Sequence, residues 1–198
     1  AGKGKAERKP GIRGPADANL APPLQIHGQR GPSYPGDDDA FSQATNAASY
    51  WAGVLAWLGR VGPDSKRESS ALILQTQWSP LVRGLYAFLG TSNLCKPYMR
   101  DGLYVLEMNN PFVVEDIKLW GQEANGGGPS ELPHIAKDDQ QALSNWLAGY
   151  LDAQYGPGGW PYNLRVRGRK EFLERLRTTF LLEGEVARDC LTMPDDVT

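Results

Sequence analysis

The chain has 198 residues, of which 40% are hydrophobic and 22% charged, as in an ordinary globular protein. This length supports one domain with a core, but hardly two. Two cysteines are too few for a disulfide scaffold, and two histidines leave a structural zinc site short of ligands, so we expect neither a metal nor a cofactor. No apolar run approaches the roughly 18 residues that span a bilayer, and the polar start of the chain lacks the pattern of a secretory signal peptide. We therefore expect a soluble protein with no membrane partner.

The charges are unevenly distributed along the chain. Residues 1–36 hold six Lys/Arg against two Asp/Glu, near +4, and the remaining 162 residues hold 15 Lys/Arg against 21 Asp/Glu, near −6. With seven Gly and six Pro, the first 36 residues cannot bury enough apolar surface to fold alone. We divide the chain into a basic Pro/Gly-rich arm (1–39), a helical core (40–183) and an acidic tail (184–198). The arm favours a polyanion or an acidic neighbouring surface as partner, although a solvated tail is an equal alternative.

Apolar residues recur at steps of three and four along much of the core, which is the spacing of an amphipathic helix. We predict helices over 40–60, 69–78, 80–90, 139–154 and 168–182. Residues 103–117 are either extended or short-helical, and 126–129 form a loop. Short loops between amphipathic helices favour a mainly α fold, an up-down four-helix bundle with an extended N-terminal arm and irregular loops.

A nucleophile, a base and an orienting acid are hard to assemble from this sequence. The two histidines, His27 and His134, fall in the arm and in a loop. The glycines at 126–128 are followed by no Lys-Ser/Thr pair, so they form a connector and not a phosphate-binding loop. Asp138 and Asp139 stand at a predicted helix start, where capping is a better explanation than catalysis. We predict that the protein is not an enzyme.

A run of cations near the C-terminal end is the strongest binding signal. Six Lys/Arg between Arg165 and Arg177 are interrupted by two glutamates. Alternating arginines before a helix suit phosphate contacts, because a guanidinium fork matches phosphate oxygens. For the helical part of the run, a solvated face with pairs such as Glu171–Arg175 is the better explanation. For residues 165–169, phosphate binding is favoured.

Four segments between about 48 and 180 occur in the order found in a known family. They are Ala48-Ser49-Tyr50-Trp51-Ala52, Ser79-Pro80-Leu81-Val82 leading to Gly90-Thr91-Ser92-Asn93, the pair Asp138-Asp139, and Tyr162-Asn163 with Phe172 after it. Together they resemble the coat proteins of rod-shaped plant viruses, the tobamovirus-like family. The resemblance implies a four-helix bundle that assembles into a helical rod, with RNA wound between the turns.

The resemblance also implies where RNA would lie. Family arginines would fall on Ser92 and Leu94, so the cations after them are the nearest substitutes. Including the cationic run, the candidate RNA-binding residues are Asn93, Lys96, Arg100, Lys137, Asp138, Asp139, Arg165 and Arg167. The family also uses carboxylates that repel one another between subunits until they are protonated. The candidates for this role are Glu107, Glu115, Asp116 and Glu123.

We therefore expect a viral structural coat protein that self-assembles, in many identical copies, into a helical rod or filament. It would encapsidate single-stranded RNA by sequence-tolerant phosphate contacts, and be found in the virion and, during assembly, in the host cytoplasm. One alternative is an icosahedral or bacilliform capsid protein, usually a β-sandwich, whose basic arm faces the RNA. Another is a cellular scaffold subunit that binds no nucleic acid.

Overall fold

The computed structural model describes residues 37–63, 70–90, 96–121, 128–134, 138–159, 164–180, 185–186 and 190–192. Within these residues the chain forms five helices and seven strands. The helices are α1 (Asn46–Leu58), α2 (Ser79–Phe88), α3 (Pro111–Leu119), α4 (Gln140–Tyr155) and α5 (Lys170–Thr179). The strands are β1 (Gly59–Pro63), β2 (Ser70–Thr76), β3 (Tyr98–Arg100), β4 (Leu103–Met108), β5 (Arg165–Arg167), β6 (Glu185–Val186) and β7 (Cys190–Thr192).

The strands form two antiparallel sheets, so the predicted mainly α four-helix bundle is wrong and the fold is mixed α/β. One sheet has the order β1-β2-β4-β3, and the other has the order β5-β7-β6. The helices α1, α2 and α3 all contact strands of the four-stranded sheet, while α5 contacts β6 and β7. The strands β6 and β7 come from the segment assigned to the acidic tail, and β7 pairs directly with β5.

The helix predicted over 69–78 is wrong, because this segment forms strand β2. Its apolar residues run without a break from Ala71 to Leu74, and all of them are buried. Leu72 and Leu74 join the main core, while Ala71 and Ile73 join a smaller cluster on the other face of the sheet. A short strand buried on both faces has no polar alternation, so periodicity alone cannot distinguish it from a buried helix.

In two other segments a capping residue marks where a helix begins. The helix predicted over 40–60 begins only at Asn46, because the hydroxyl of Thr45 accepts a hydrogen bond from the amide of Ala48 at 3.1 Å. The undecided segment 103–117 contains both a strand and a helix. Asn110 caps α3 and a proline follows it at the first helical position, a favourable helix start. The remaining predicted helices, at 80–90, 139–154 and 168–182, correspond to α2, α4 and α5.

The closest packing in the described core is the crossing of α1 over α4. A Cβ added at Gly53 would lie 1.9 Å from the carbonyl oxygen of Trp146, and one added at Gly149 would lie 2.0 Å from that of Tyr50. Since each helix presents a glycine where the other passes, their backbones are in direct contact. No side chain larger than hydrogen fits at either position without moving a helix.

Aromatic rings connect this helix pair to the C-terminal part of the fold. Trp146 stacks on Tyr150 with ring centroids 5.2 Å apart, and Phe172 of α5 meets both rings edge-on at 5.9 and 5.3 Å. All three side chains are fully buried. Such edge-to-face contacts add about 0.5–1.5 kcal/mol each beyond the area that they bury. The cluster therefore fixes α5 relative to α4.

Replacing Gly53 or Gly149 by alanine should destabilise the protein by at least about 2 kcal/mol, because the added methyl group forces the helices apart. In an ordinary helix the same change stabilises by up to about 1 kcal/mol. The measurement is urea denaturation followed by circular dichroism. Gly62→Ala is the matched control, since a Cβ there meets its nearest neighbour at 3.8 Å. Equal stability of all three variants would contradict the close approach.

Candidate nucleic-acid interface

Strand β5 places the two predicted arginines, Arg165 and Arg167, on the surface. Both are exposed, whereas Val166 between them is fully buried and belongs to the core. This alternation follows from the period of two in a β-strand. Val166 lies opposite Leu191 of β7, which is also fully buried. The buried valine therefore anchors the strand with both guanidinium groups on the side away from the core.

The other edge of β5 is hydrogen-bonded by side chains from the last turns of α4. The side-chain amide of Gln154 accepts from the backbone N–H of Arg167 and donates to its carbonyl, both at 2.9 Å. The hydroxyl of Tyr155 donates to the carbonyl of Arg165 and accepts from its N–H at 3.0 Å. The hydroxyl of Tyr150 donates to the carbonyl of Arg167 at 2.7 Å. These side chains take the place of a neighbouring strand, and they satisfy an edge that would otherwise be open.

Further cations follow the strand directly. Arg169 is the residue before α5, and Lys170 is its first residue. Lys170 lies 3.7 Å from Glu174, with both side chains more than half exposed, so this pair is weak. Farther along the helix, Arg175 lies 3.0 Å from Glu131. The two glutamates of the run, Glu171 and Glu174, both lie on the helix, whereas β5 itself carries two arginines and no acidic residue.

The other predicted RNA-binding residues lie elsewhere or outside the described residues. Arg100 is exposed at the end of β3, and Lys96 is exposed just before that strand. Strand β3 belongs to the four-stranded sheet and not to the sheet of β5. Asp138 is exposed before α4. Asp139 caps that helix by accepting from the amide of Ala142 at 3.0 Å. Asn93 and Lys137 lie outside the described residues.

The three predicted inter-subunit carboxylates that the structure describes do not share one exposed surface. Glu107 of β4 accepts a hydrogen bond from the hydroxyl of Tyr98 at 3.1 Å. Glu115 is exposed on α3 and pairs with Lys118 at 2.7 Å. Asp116 is only 3% exposed. Glu123 lies outside the described residues. Repulsion between subunits stays a prediction, for which Glu115 is the most accessible described member of the set.

An open groove of about 660 Å³ lies between α5 and the segment before α4, and its lining includes a histidine and several carboxylates. It holds His134, whose ring lies 3.3 Å from Glu131, and that carboxylate also pairs with Arg175. The imidazole is largely exposed, and no nucleophilic side chain is shown bonded to it within the described residues. Among all the residues that the structure describes, no cluster of His, Cys, Asp or Glu is arranged to hold a metal ion. That the protein is not an enzyme stays a prediction.

No family model matches the chain, and no curated protein matches it either. None of the helices described here is long and apolar enough to cross a membrane.

Sequence reasoning missed the residues that hold β5 in place. Tyr150 falls within the helix predicted over 139–154, but that prediction gives no indication of its hydrogen bond to β5. The available signal was the pair Gln154 and Tyr155 just before the glycine at which α4 ends. Two long polar side chains in the last turn of a helix can hydrogen-bond the backbone of a neighbouring element. Which element they bond is decided by the tertiary fold, which a single sequence does not show.

Tyr150→Phe should reduce the loss of stability in alkaline solution. Burial raises the pKa of Tyr150 above its ordinary value near 10. The unfolded chain therefore loses this proton first, so the free energy of unfolding falls above about pH 10 by up to about 1.4 kcal/mol per pH unit for each such tyrosine. Urea denaturation between pH 8 and pH 11.5 measures the slope.

Tyr50→Phe provides the matched comparison. Burial, followed by the hydrogen bond to Asp152 at 2.7 Å, raises the pKa of Tyr50 as well. Each single variant should flatten the alkaline slope, and the double variant should flatten it further. If the slope stayed at the wild-type value in both single variants, the proposed cause of the pH dependence would be wrong.

Proposed function

We propose that this protein is a non-enzymatic structural coat subunit that assembles with identical copies and packages single-stranded RNA. The four-helix bundle implied by the resemblance to rod-shaped virus coat proteins has no part in this proposal. Its support lies in the surface chemistry of β5 and in the basic arm of the sequence. The sites of action would be the virion and, during assembly, the host cytoplasm.

The observation that carries the proposal is the outward-facing pair Arg165 and Arg167 on a backbone fixed from both edges. The two residues are two positions apart on a strand, so their Cα atoms are about 6.6 Å apart on the same face. Both guanidinium groups can therefore contact the phosphates of one nucleic-acid strand. A fixed backbone reduces the conformational entropy that these contacts would cost.

Contacts of this type are tolerant of sequence, which is what packaging requires. Guanidinium–phosphate hydrogen bonds position a nucleic acid without reading its bases. The released counterions supply much of the affinity, which makes binding strongly dependent on salt. The basic arm adds six cations to the same chain, and these suit the same ligand.

Arg165→Gln and Arg167→Gln should each weaken binding of a single-stranded RNA oligonucleotide to a similar degree for every sequence. Each lost phosphate contact should lower the slope of log K against log salt by about 0.7. Fluorescence anisotropy at several salt concentrations measures both quantities. Arg83→Gln, an exposed arginine on α2, is the control and should bind as the wild type does. Sequence-selective loss, or an unchanged salt slope in both β5 variants, would contradict phosphate binding at β5.

Packaging itself predicts large particles that contain RNA. Negative-stain electron microscopy of the purified full chain should show rods, filaments or shells, and nuclease treatment should leave protected RNA inside them. Arg165→Gln/Arg167→Gln should form fewer such particles or protect less RNA. Monodisperse single subunits with no RNA would overturn the proposal and favour a cellular scaffold subunit.

A further inference from the structure

The four-stranded sheet has a face opposite the main core, and this face carries its own arrangement of side chains. Its centre is the small buried cluster of Ala71, Ile73 and Val105. The cross-strand register places Arg60 and Glu107 on either side of Ile73. We call this side of the sheet the outer face. It combines a buried apolar centre with a cation on the edge strand β1 and a carboxylate on the inner strand β4.

Tyr98 lies on this outer face at the edge strand β3. Its cross-strand partner is Val105, but its hydroxyl donates to the carboxylate of Glu107, two residues farther along β4, at 3.1 Å. The ring therefore extends along the sheet surface and does not project straight into solvent. Tyr98 is 40% exposed, whereas Val105 beside it is fully buried. The geometry leaves part of an aromatic ring exposed beside the buried apolar cluster.

Two arginines lie on the same face as this ring. Arg100 is two residues from Tyr98 on β3, so it shares the face, and it is exposed. Arg60 is exposed on β1. The register puts Arg60 in one cross-strand row with Ile73 and Glu107, and Glu107 is the carboxylate that the hydroxyl of Tyr98 bonds. Lys96 is a further exposed cation just before the strand.

We propose that the outer face is a base-stacking platform for single-stranded RNA, with one base on the ring of Tyr98 and the adjoining phosphates on Arg60 and Arg100. The inference rests on the proposed RNA-binding function and adds a second contact surface to β5. An aromatic ring lying along a sheet beside guanidinium groups matches the two parts of a nucleotide, its flat base and its anionic phosphate.

This chemistry selects single strands over duplexes. In a duplex the base faces are stacked on one another and cannot reach Tyr98, whereas an unpaired base can. Stacking accepts all four bases because each has a π face. The platform therefore suits packaging as well as the phosphate contacts do. It also gives the exposed Arg100, predicted from the sequence as an RNA-binding residue, a defined role beside an aromatic ring.

The test separates base contacts from phosphate contacts by comparing two ligands of equal charge. The full chain is titrated with a labelled ten-nucleotide oligouridine and with an abasic strand of the same length, and anisotropy gives each affinity. The wild type should prefer oligouridine. Tyr98→Leu should reduce this preference about tenfold and leave abasic binding unchanged. Tyr98→Phe keeps the ring without the hydroxyl, and it should keep the preference.

Met99→Ala is the matched control, because Met99 is exposed on the same strand and points to the opposite side of the sheet. It should retain the preference. Circular dichroism confirms that each variant is folded. If Tyr98→Leu preserves the preference while Arg165→Gln weakens both ligands, the platform is overturned and RNA packaging stands. If the wild type binds neither ligand, the packaging proposal fails too, and the outer face would be free to contact a protein.

Discussion

The contact between the backbones of α1 and α4 is the constraint on which the rest of the molecule depends. A methyl group added at Gly53 or at Gly149 would lie 1.9 Å or 2.0 Å from a backbone carbonyl oxygen of the other helix. Helices that carry ordinary side chains at their crossing stay 8–10 Å apart. Here the absence of two side chains permits a closer approach. The relative position of these helices is therefore fixed by sterics and not only by apolar burial.

The position of α4 in turn determines the arginine strand. Tyr150 and Gln154 are four residues apart, on one side of the helix, and both bond the backbone of Arg167. Tyr155 reaches Arg165 from the last residue of the same helix. A shift of α4 would therefore move three hydrogen-bonding side chains at once. The surface chemistry of β5 depends on the glycine crossing because α4 takes part in both.

The parts of this structure that were predictable depend on local sequence. Four of the five predicted helices correspond to α1, α2, α4 and α5, because apolar spacing is a local signal, although α1 begins later than predicted. The two arginines predicted to contact phosphate, Arg165 and Arg167, are exposed. The identity of β2 was not predictable. Its run of buried apolar residues has no period, and only pairing with β1 and β4 makes it a strand. The outer face was hidden for the same reason, since Tyr98 and Arg60 are brought onto one face by strands distant in sequence.

The two proposed RNA surfaces share one physical feature, which is that strands and not helices present their arginines. On α5, Arg175 meets a carboxylate at 3.0 Å, and Lys170 has Glu174 one turn away. A helix surrounds each cation with neighbours three and four residues away in either direction, and in α5 these neighbours include Glu171 and Glu174. A strand places the residues adjacent in sequence on the opposite face. In β5 that residue is Val166, buried in the core, so no acidic side chain lies between the two arginines.

A subunit with a net charge of −2 can therefore present local cationic surfaces. A bound phosphate interacts mainly with charges within a Debye length, so the local charge matters more than the net charge.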